Sequence, residues 1–484
     1  MNPPGECSPL SRRRRERVGV RVALLCLLLT ACGKPEPAPP AAGIRESETW
    51  YVAWLGSEKI GYLRKTVSRT PEGRLRLYSE NYVSARTLQH PVRMKAIEIV
   101  EATPDFQPYR YFQKIETGLD AVYQVKGWLE GDQFKIEVAS SGNIIKTKSF
   151  ATADLTFPQL ADQKILSEDL SPGLRRTFQV VNPVDFLPIR ITLAVDRAPP
   201  DKIPADRSNV LRVTAALGAI EIVSYVDTSD PEPFLIEWPQ MELKYIRGDK
   251  EAAERVASAA PADIDLAYFA AVVPTGGSAP PESSGRVRVV LRGPGLGDLN
   301  LSGDFQKVID KSEEQVTLEI GWPDILALAD RPSAASPVDS SVVTPAIRKI
   351  AGLFRERPPL EFSRGAIRWM RAHIRQVPTS LVPSADDVLE IRQGDCNEFS
   401  ALFHALASAA GLPSKIVSGV VYMDGKYFYH SWNELFVGGH WVPVDPILNE
   451  VPASLKHIKL IEGDYSASWR LAACLRTLRI DILN

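Results

Sequence analysis

The feature that most constrains the fold of this chain is an amphipathic stretch that begins at Cys396. Apolar side chains follow it at the i, i+3, i+4, i+7 spacing of a helix with one buried face, at Phe399, Leu402, Phe403, Leu406 and Ala410. Gly411 is a typical C-terminal stop, and Pro413 cannot continue a helix. The pattern therefore predicts a helix whose first turn carries a cysteine thiol.

The position of this thiol predicts unusual reactivity. The first turn of a helix has N–H groups without intrahelical partners, and the helix dipole favours negative charge there. Such a position lowers a thiol pKa from about 8.5 toward neutrality, so we expect Cys396 to ionise readily. The same backbone N–H groups can hold an oxyanion.

Two hairpin turns follow the helix and bring a histidine and an aspartate together. The dipeptides Asp-Gly at 424–425 and Gly-Gly at 438–439 each separate runs that are rich in β-branched and aromatic residues. If 438–439 is a two-residue turn, Asp445 lies opposite Trp432. His430 shares the face of Trp432, because side chains alternate along a strand. His430 and Asp445 are then diagonal neighbours within side-chain reach.

A thiol on a helix start, with an imidazole and a carboxylate on the adjacent sheet, is the arrangement that acyl transfer uses. Cys396, His430 and Asp445 are therefore candidates for the nucleophile, its base and the group that orients the base. Each also has an ordinary structural explanation. Buried cysteines are usually inert, a histidine near tryptophan usually packs, and aspartate before proline usually forms a turn. Their order and their placement together favour the catalytic interpretation.

The sequence around these residues resembles a known family. The stretches GDCNEFSALFHALASAAGLPSKIVSGVV and HSWNELFVGGHWVPVDP are similar to the transglutaminase-like core of many bacterial proteins, a relative of the papain-like cysteine proteases. The resemblance covers roughly residues 340–465. It implies an α+β core in which a helix bearing the cysteine packs on an antiparallel sheet. It also implies Cys396 as nucleophile, His430 as general base and acid, and Asp445 as the orienting group.

Substrate and oxyanion contacts are less well defined by the resemblance. Gln393 is a candidate second oxyanion donor, although it does not lie at a papain-like distance from the cysteine. Gly394 and Trp432 are candidates to shape the substrate site. The sequence has no loop of alternating acidic residues of the kind that binds Ca²⁺. We therefore predict no metal and no other cofactor.

The N-terminus has the pattern of a secretion signal. An arginine-rich segment precedes an apolar run at 22–29, which is shorter than the ~20 residues that span a bilayer. The run ends in Leu-Thr-Ala-Cys, which resembles the bacterial lipobox and implies a lipoprotein signal peptide at 1–31 with a lipid on Cys32. An ordinary secretory signal cut near Ala31 is the alternative. Gly33 offers no inner-membrane retention signal, so we expect an outer-membrane anchor facing the periplasm.

Charge and cysteine content exclude other function classes. The formal net charge is −2, and nothing in the sequence indicates nucleic-acid binding. Beyond the signal and Cys32, the remaining thiols are Cys396 and Cys474. A disulfide between them in an oxidising compartment is an alternative that would silence Cys396. A redox role is disfavoured because the sequence contains no Cys-x-x-Cys.

The rest of the chain divides by pattern into further regions. A proline-rich tether is predicted at 32–45. Residues 46–250 show the alternation and turn signals of a large, mainly antiparallel β domain. This domain either binds a substrate or partner or is a spacer that covers the catalytic domain. Residues 251–335 indicate a linker with a small β region, and 340–484 the catalytic domain.

Three helix starts are predicted before the cysteine-bearing helix. Thr344 is a good N-cap with Pro345 at the first helical position. Ser363 is predicted to cap the next helix. Ser384 with Asp387 three residues later resembles a capping box.

These features predict a lipid-anchored envelope enzyme that transfers acyl groups from peptide or glutamine-like amides. A thioester on Cys396 would pass to water in a peptidase or amidase, or to an amine in a transglutaminase, and we favour hydrolysis. A non-catalytic scaffold that binds peptide is the main alternative. The expected partners are a peptide or protein substrate and the membrane, reached through the N-terminal lipid, with no nucleic acid.

Overall fold

The computed structural model describes residues 46–483, except 88–89, 117–121, 141–142, 152–154, 183–185, 218–219, 267–270, 276–278, 281–284, 322–336, 378–383, 464–470, 472–474 and 476. The signal peptide, the lipid on Cys32, the tether and Cys474 lie outside the described residues and stay predictions. No helix in the described ranges is both long enough and apolar enough to cross a membrane.

The N-terminal part is one large sheet of fifteen described strands, in the order β8-β7-β6-β5-β4-β3-β2-β1-β15-β14-β13-β12-β11-β10-β9. The first eight strands are β1 Ser47–Leu55, β2 Glu58–Arg69, β3 Leu75–Thr87, β4 His90–Ala102, β5 Pro108–Glu116, β6 Val122–Glu130, β7 Gln133–Ser140 and β8 Asn143–Ala151. The other seven are β9 Leu155–Thr156, β10 Arg175–Val181, β11 Pro188–Arg197, β12 Val210–Leu217, β13 Ile220–Asp227, β14 Asp230–Trp238 and β15 Leu243–Gly248. The antiparallel meanders β1–β8 and β10–β15 therefore meet where β1 pairs with β15, and the short β9 pairs with β10 in parallel.

Alternation along the strands creates the core of this sheet, as the sequence predicted. Phe134, Ile136 and Val138 on β7 are buried, and they join a core that also includes Leu160. Leu160 belongs to helix α1 (Pro158–Leu166), which the sequence analysis did not predict. Pro158 favours a helix start at this position, because the first N–H of a helix has no intrahelical partner and proline has no N–H. A second helix, α2 (Lys250–Ser258), follows the sheet.

A small sheet links the chain to its C-terminal part. Its strands are β16 Arg286–Arg292, β17 Gln306–Lys311, β18 Gln315–Gly321 and the C-terminal β25 Arg479–Leu483, in the order β17-β18-β16-β25. Buried side chains of this sheet, such as Val289 and Leu318, share one core with Val420, Tyr427 and Ile458 of the next sheet. The region predicted to hold a linker thus supplies part of the core behind the candidate site.

The C-terminal part combines helices with a second four-stranded sheet. Its helices are α3 Pro345–Ala351, α4 Pro359–His373, α5 Ala385–Ile391 and α6 Cys396–Ala409. Its strands are the short parallel pair β19 Arg375–Gln376 and β20 Gln393–Gly394, and β21 Ser414–Met423, β22 Lys426–Val437, β23 His440–Val444 and β24 His457–Glu462. The last four form an antiparallel sheet in the order β23-β22-β21-β24.

Two of the three predicted helix starts are confirmed. Thr344 Oγ1 accepts a hydrogen bond from the Ile347 N–H, and Ser384 with Asp387 forms a capping box. The prediction for Ser363 is wrong, because α4 begins at Pro359 and Ser363 Oγ donates to the Pro359 carbonyl oxygen from inside the helix. Pro359 suits the first helical position, and this outweighs the capping preference of serine.

Helix α6 packs on the C-terminal sheet through the apolar face that the sequence predicted. Phe399, Leu402, Phe403 and Leu406 are buried in one core together with Leu435, Val437, Val442 and Val444 of β22 and β23. Both hairpin turns have two residues, and all four turn residues have positive φ, as such turns require. Asn433 pairs with Val444, so the predicted register of β22 against β23 is confirmed.

Gly419 on β21 allows a close backbone approach that the sheet depends on. A Cβ at this position would overlap the carbonyl oxygen of Ile458 on β24. We expect Gly419→Ala to lower the free energy of unfolding by about 1–3 kcal/mol, the usual cost of overpacking, as measured by chemical denaturation. Gly248→Ala is the matched control, because a Cβ there makes ordinary contacts. Equal stability of the two variants would contradict the close approach.

Candidate active site

Asp445 is the centre of the candidate site. It directly follows β23, is fully buried, and accepts four hydrogen bonds. Its Oδ2 accepts from His430 Nε2 at 2.6 Å and from His457 Nε2 at 2.9 Å. Its Oδ1 accepts from the backbone N–H groups of Ile447 at 2.8 Å and Leu448 at 2.9 Å. Both carboxylate oxygens are therefore satisfied by donors of the protein itself.

The hydrogen bonds of Asp445 determine its ionisation. Burial alone would raise the pKa of its carboxyl, but His430 and His457 beside it lower the pKa well below the usual value. Asp445 is therefore a carboxylate across the neutral range. An ionised carboxylate only accepts hydrogen bonds, so the Nε2 atom of His430 carries the proton.

Cys396 is the first residue of α6, as predicted, but its surroundings differ from the prediction. Asp395 is the N-cap, and its side chain accepts from the Asn397 N–H at 3.0 Å. Glu398 completes a capping box by accepting from the Asp395 N–H at 2.8 Å. Carboxylates therefore already neutralise the positive end of the helix.

The expected fall in the pKa of Cys396 is consequently wrong. Burial raises the pKa of this thiol well above its usual value, and the charges of Asp395, Glu398 and Asp445 raise it further. A hydrogen bond from the Ser431 backbone N–H acts in the opposite direction and is outweighed. The raised pKa favours the protonated thiol over the thiolate. Cys396 nevertheless keeps partial exposure to solvent.

A chain of polar contacts joins the start of α6 to β22. Tyr429 donates its hydroxyl to Asn397 Oδ1 at 3.0 Å, and the same hydroxyl lies 3.2 Å from Ser431 Oγ. Ser431 Oγ lies 2.5 Å from Ser418 Oγ in the interior. Together with the Ser431 N–H at the sulfur, these contacts place Cys396 beside the part of β22 that carries His430.

The remaining predicted site residues have different surroundings. Trp432 is buried, with its ring centroid 6.1 Å from that of His430 and 5.0 Å from that of His457, so it forms a wall behind the two imidazoles. A Cβ at Gly394 would lie 2.4 Å from Glu398 Cβ, so glycine is needed to admit the capping box. Gln393 Oε1 is buried without a hydrogen-bond partner in the described part of the chain. Its NH₂ group, not this oxygen, would donate to an oxyanion, so Gln393 stays a prediction as the second donor.

His457 is the site residue that the sequence analysis missed. The sequence analysis assigned no role to this imidazole. The β21–β24 pairing brings it to Asp445 after the irregular segment 446–456, and no periodic pattern fixes the course of such a segment. The contact is therefore tertiary, and spacing in the sequence does not reveal it.

His430, Asp445 and His457 are also the one group of potential metal ligands among the described residues, with ligand atoms within 4.8 Å of one another. Ligands of a tetrahedral Zn²⁺ at 2.0–2.1 Å would lie about 3.3 Å apart. The observed oxygen–nitrogen separations of 2.6 and 2.9 Å are those of hydrogen bonds instead. The residues present therefore fit a hydrogen-bonded cluster better than a metal centre.

Comparison with known proteins identifies part of the chain. The sequence profile of the transglutaminase-like superfamily matches residues 350–446. A comparison with curated proteins finds no match. Among solved structures, a proposed cysteine protease from Cytophaga hutchinsonii is similar at 13% identity and a TM-score of 0.27, over 42% of this chain and 84% of that one. A β-barrel-like protein of a domain of unknown function from Brucella abortus is similar at 10% identity and a TM-score of 0.34, over 42% and 96%. At such scores neither structure shows the fold of this chain.

The lowered pKa of Asp445 predicts an acid-dependent loss of stability. The stability that ionised Asp445 contributes is fully present above about pH 3.9, because 3.9 is the usual pKa of an aspartate in an unfolded chain. It declines as the pH falls from there toward the lower folded pKa. We expect Asp445→Asn to be less stable than the parent chain at pH 7, with a smaller difference at pH 3, in chemical denaturation. The exposed Asp310→Asn is the control. A difference that is independent of pH would contradict this linkage.

Proposed function

Because residues 350–446 match the transglutaminase-like superfamily, we propose that this chain is a cysteine-dependent acyl-transfer enzyme. It acts on peptide or glutamine-like amides, as a peptidase or amidase rather than a cross-linking enzyme. The observation that carries the proposal is the buried 2.6 Å hydrogen bond from His430 Nε2 to Asp445 Oδ2, beside the helix start that bears Cys396. A buried carboxylate that fixes one nitrogen of an imidazole leaves the other nitrogen to exchange protons.

In the first step, His430 Nδ1 accepts the proton of the Cys396 thiol as the sulfur attacks the amide carbonyl carbon. The carbonyl π electrons move to oxygen and give a tetrahedral oxyanion, for which we assign the Cys396 backbone N–H at the start of α6 as one donor. Gln393 is the candidate for a second donor. Since burial raises the pKa of the thiol, this proton transfer accompanies the attack.

In the second step, the oxyanion collapses and the carbon–nitrogen bond breaks. His430 returns its proton to the leaving amine, and a thioester on Cys396 remains. Water or an amine then attacks the thioester, with His430 as the base again, and the thiol is restored. Asp445 keeps Nε2 protonated and stabilises the imidazolium that forms in each half of the cycle.

The wider setting of the enzyme belongs to the same proposal. A signal peptide at 1–31 would direct the chain to the envelope, and a lipid on Cys32 would anchor it there. We favour an anchor in the outer membrane, with the protein facing the periplasm. Peptides or proteins of that compartment would be the substrates. The sheet of β1–β15 would bind a substrate or partner or be a spacer that covers the catalytic part. A transglutaminase, or a scaffold that binds peptide without chemistry, is the alternative.

The direct experiment incubates the chain without residues 1–32 with a peptide library and a primary amine, and reads the products by mass spectrometry. We expect cleaved or deamidated peptides that disappear with Cys396→Ala. We also expect Asp445→Asn to lower kcat/KM on the order of 10³–10⁴-fold, as when a triad aspartate becomes an amide. Cys474→Ala is the matched control and should retain activity.

The other outcomes separate the alternatives. Amine adducts that depend on Cys396 would identify a transglutaminase. Products that persist in Cys396→Ala, or no Cys396-dependent product at all, would contradict the proposed enzyme and favour the scaffold.

A further inference from the structure

His457 is a buried histidine that the reaction above does not use. It begins β24, and its Nε2 lies 2.9 Å from Asp445 Oδ2, the oxygen that also accepts from His430. Its Nδ1 lies 3.1 Å from the backbone carbonyl oxygen of Ser454. The edge of its ring meets Trp432 at an interplanar angle of 70°. Both nitrogens and the ring are therefore held in one orientation.

The partners of His457 indicate its charge. A carbonyl oxygen and an ionised carboxylate oxygen only accept hydrogen bonds, and a neutral imidazole has a single N–H to donate. An imidazolium donates from both nitrogens. Glu450 Oε2 lies 4.0 Å from Nδ1 and adds a second negative group beside the ring. These contacts together fit a protonated His457.

We propose that His457 is a positioning residue that, as an imidazolium, holds Asp445 Oδ2 toward His430 and keeps His430 neutral until Cys396 reacts. The proposal rests on the proposed function of His430 as the base. His457 acts through Asp445 and touches no reacting atom.

The charge balance of the buried cluster explains this role. One carboxylate compensates one imidazolium, and an additional uncompensated charge in the interior is costly. Glu450 is partly exposed, so solvent screens its charge, and the buried carboxylate of Asp445 is the one that must be compensated inside the cluster. With His457 protonated, Asp445 is already compensated, so a proton on His430 at rest would be in excess. When the Cys396 sulfur attacks and gives up its proton, the negative charge that develops on the reacting atoms compensates the new imidazolium of His430. Protonated His457 thus keeps His430 unprotonated, so that His430 can accept the proton of the thiol.

The first arm of the test measures the reactivity of Cys396 and needs no substrate. The chain without residues 1–32 is alkylated with iodoacetamide at pH 7, and the rate at Cys396 is read by peptide mass spectrometry. We expect His457→Phe, which keeps a ring against Trp432, to slow the alkylation about tenfold to a hundredfold, by analogy with the removal of a group that orients a metal-ligating histidine. His457→Gln retains an N–H donor for Asp445 and should restore part of the rate. The same variants should lower kcat with KM nearly unchanged.

The second arm reads protonation directly. The chain contains six histidines, so ¹⁵N-histidine labelling gives a small set of ring signals in NMR. We expect two protonated nitrogens on His457 and one on His430 in the parent chain, with the His457 pattern altered in Asp445→Asn. His404→Phe is the control, because its ring contacts Ser414 and Asp339 and not Asp445. The control should change neither the alkylation rate nor the signals of His430 and His457.

Each contrary result has one meaning. A neutral His457 beside a cationic His430, or His457→Phe with the alkylation rate of the parent, would overturn the positioning role. If His457→Phe and His457→Gln lower the alkylation rate equally and both variants are less stable, His457 only packs in the core, and the proposal fails. Activity that is lost on chelation and restored by Zn²⁺ would replace it with a metal site. If Cys396→Ala retains activity, the proposed function fails, while the NMR arm still decides whether His457 shares Asp445.

Discussion

A buried carboxylate with four donors is the interaction on which this site depends. Asp445 is fully buried, and a buried charge without partners is too costly for a fold to retain. Its donors come from β22, from the segment after β23 and from β24. The hydrogen bonds of this one side chain therefore connect three segments of the C-terminal sheet. They also fix the imidazole that we propose as the base.

The same constraint explains why the site is held from several sides. Helix α6 is anchored on the sheet by its apolar face, and its first turn is joined to β22 by the contacts of Tyr429 and Ser431. On the other side, the small sheet reaches β24 through Gln306, whose amide donates to the Lys459 carbonyl and accepts from the Lys459 N–H. The proposed nucleophile, base and orienting group lie on three different segments and need such support, because small displacements between catalytic groups are costly to catalysis.

Local patterns predicted the elements that carry the site, and nonlocal contacts limited the prediction. The periodicity after Cys396 and the two-residue turns gave helix α6 and the β22–β23 register, so the contact of His430 with Asp445 followed from sequence. His457 did not follow, because the irregular segment before β24 has no period to read. The pKa of Cys396 was predicted with the wrong sign although a signal was present. Asp395 and Glu398 have capping-box spacing, and their charges oppose a thiolate.

Trapping the acyl-enzyme tests the central claim most directly. A peptide with an activated ester is mixed with the chain, the reaction is quenched in acid within the first turnover, and the intact mass and peptide map are measured. We predict one acyl group per chain, bound to Cys396, that forms in a burst and decays as product continues to appear. Turnover without any acyl group on Cys396 would contradict nucleophilic catalysis by this residue.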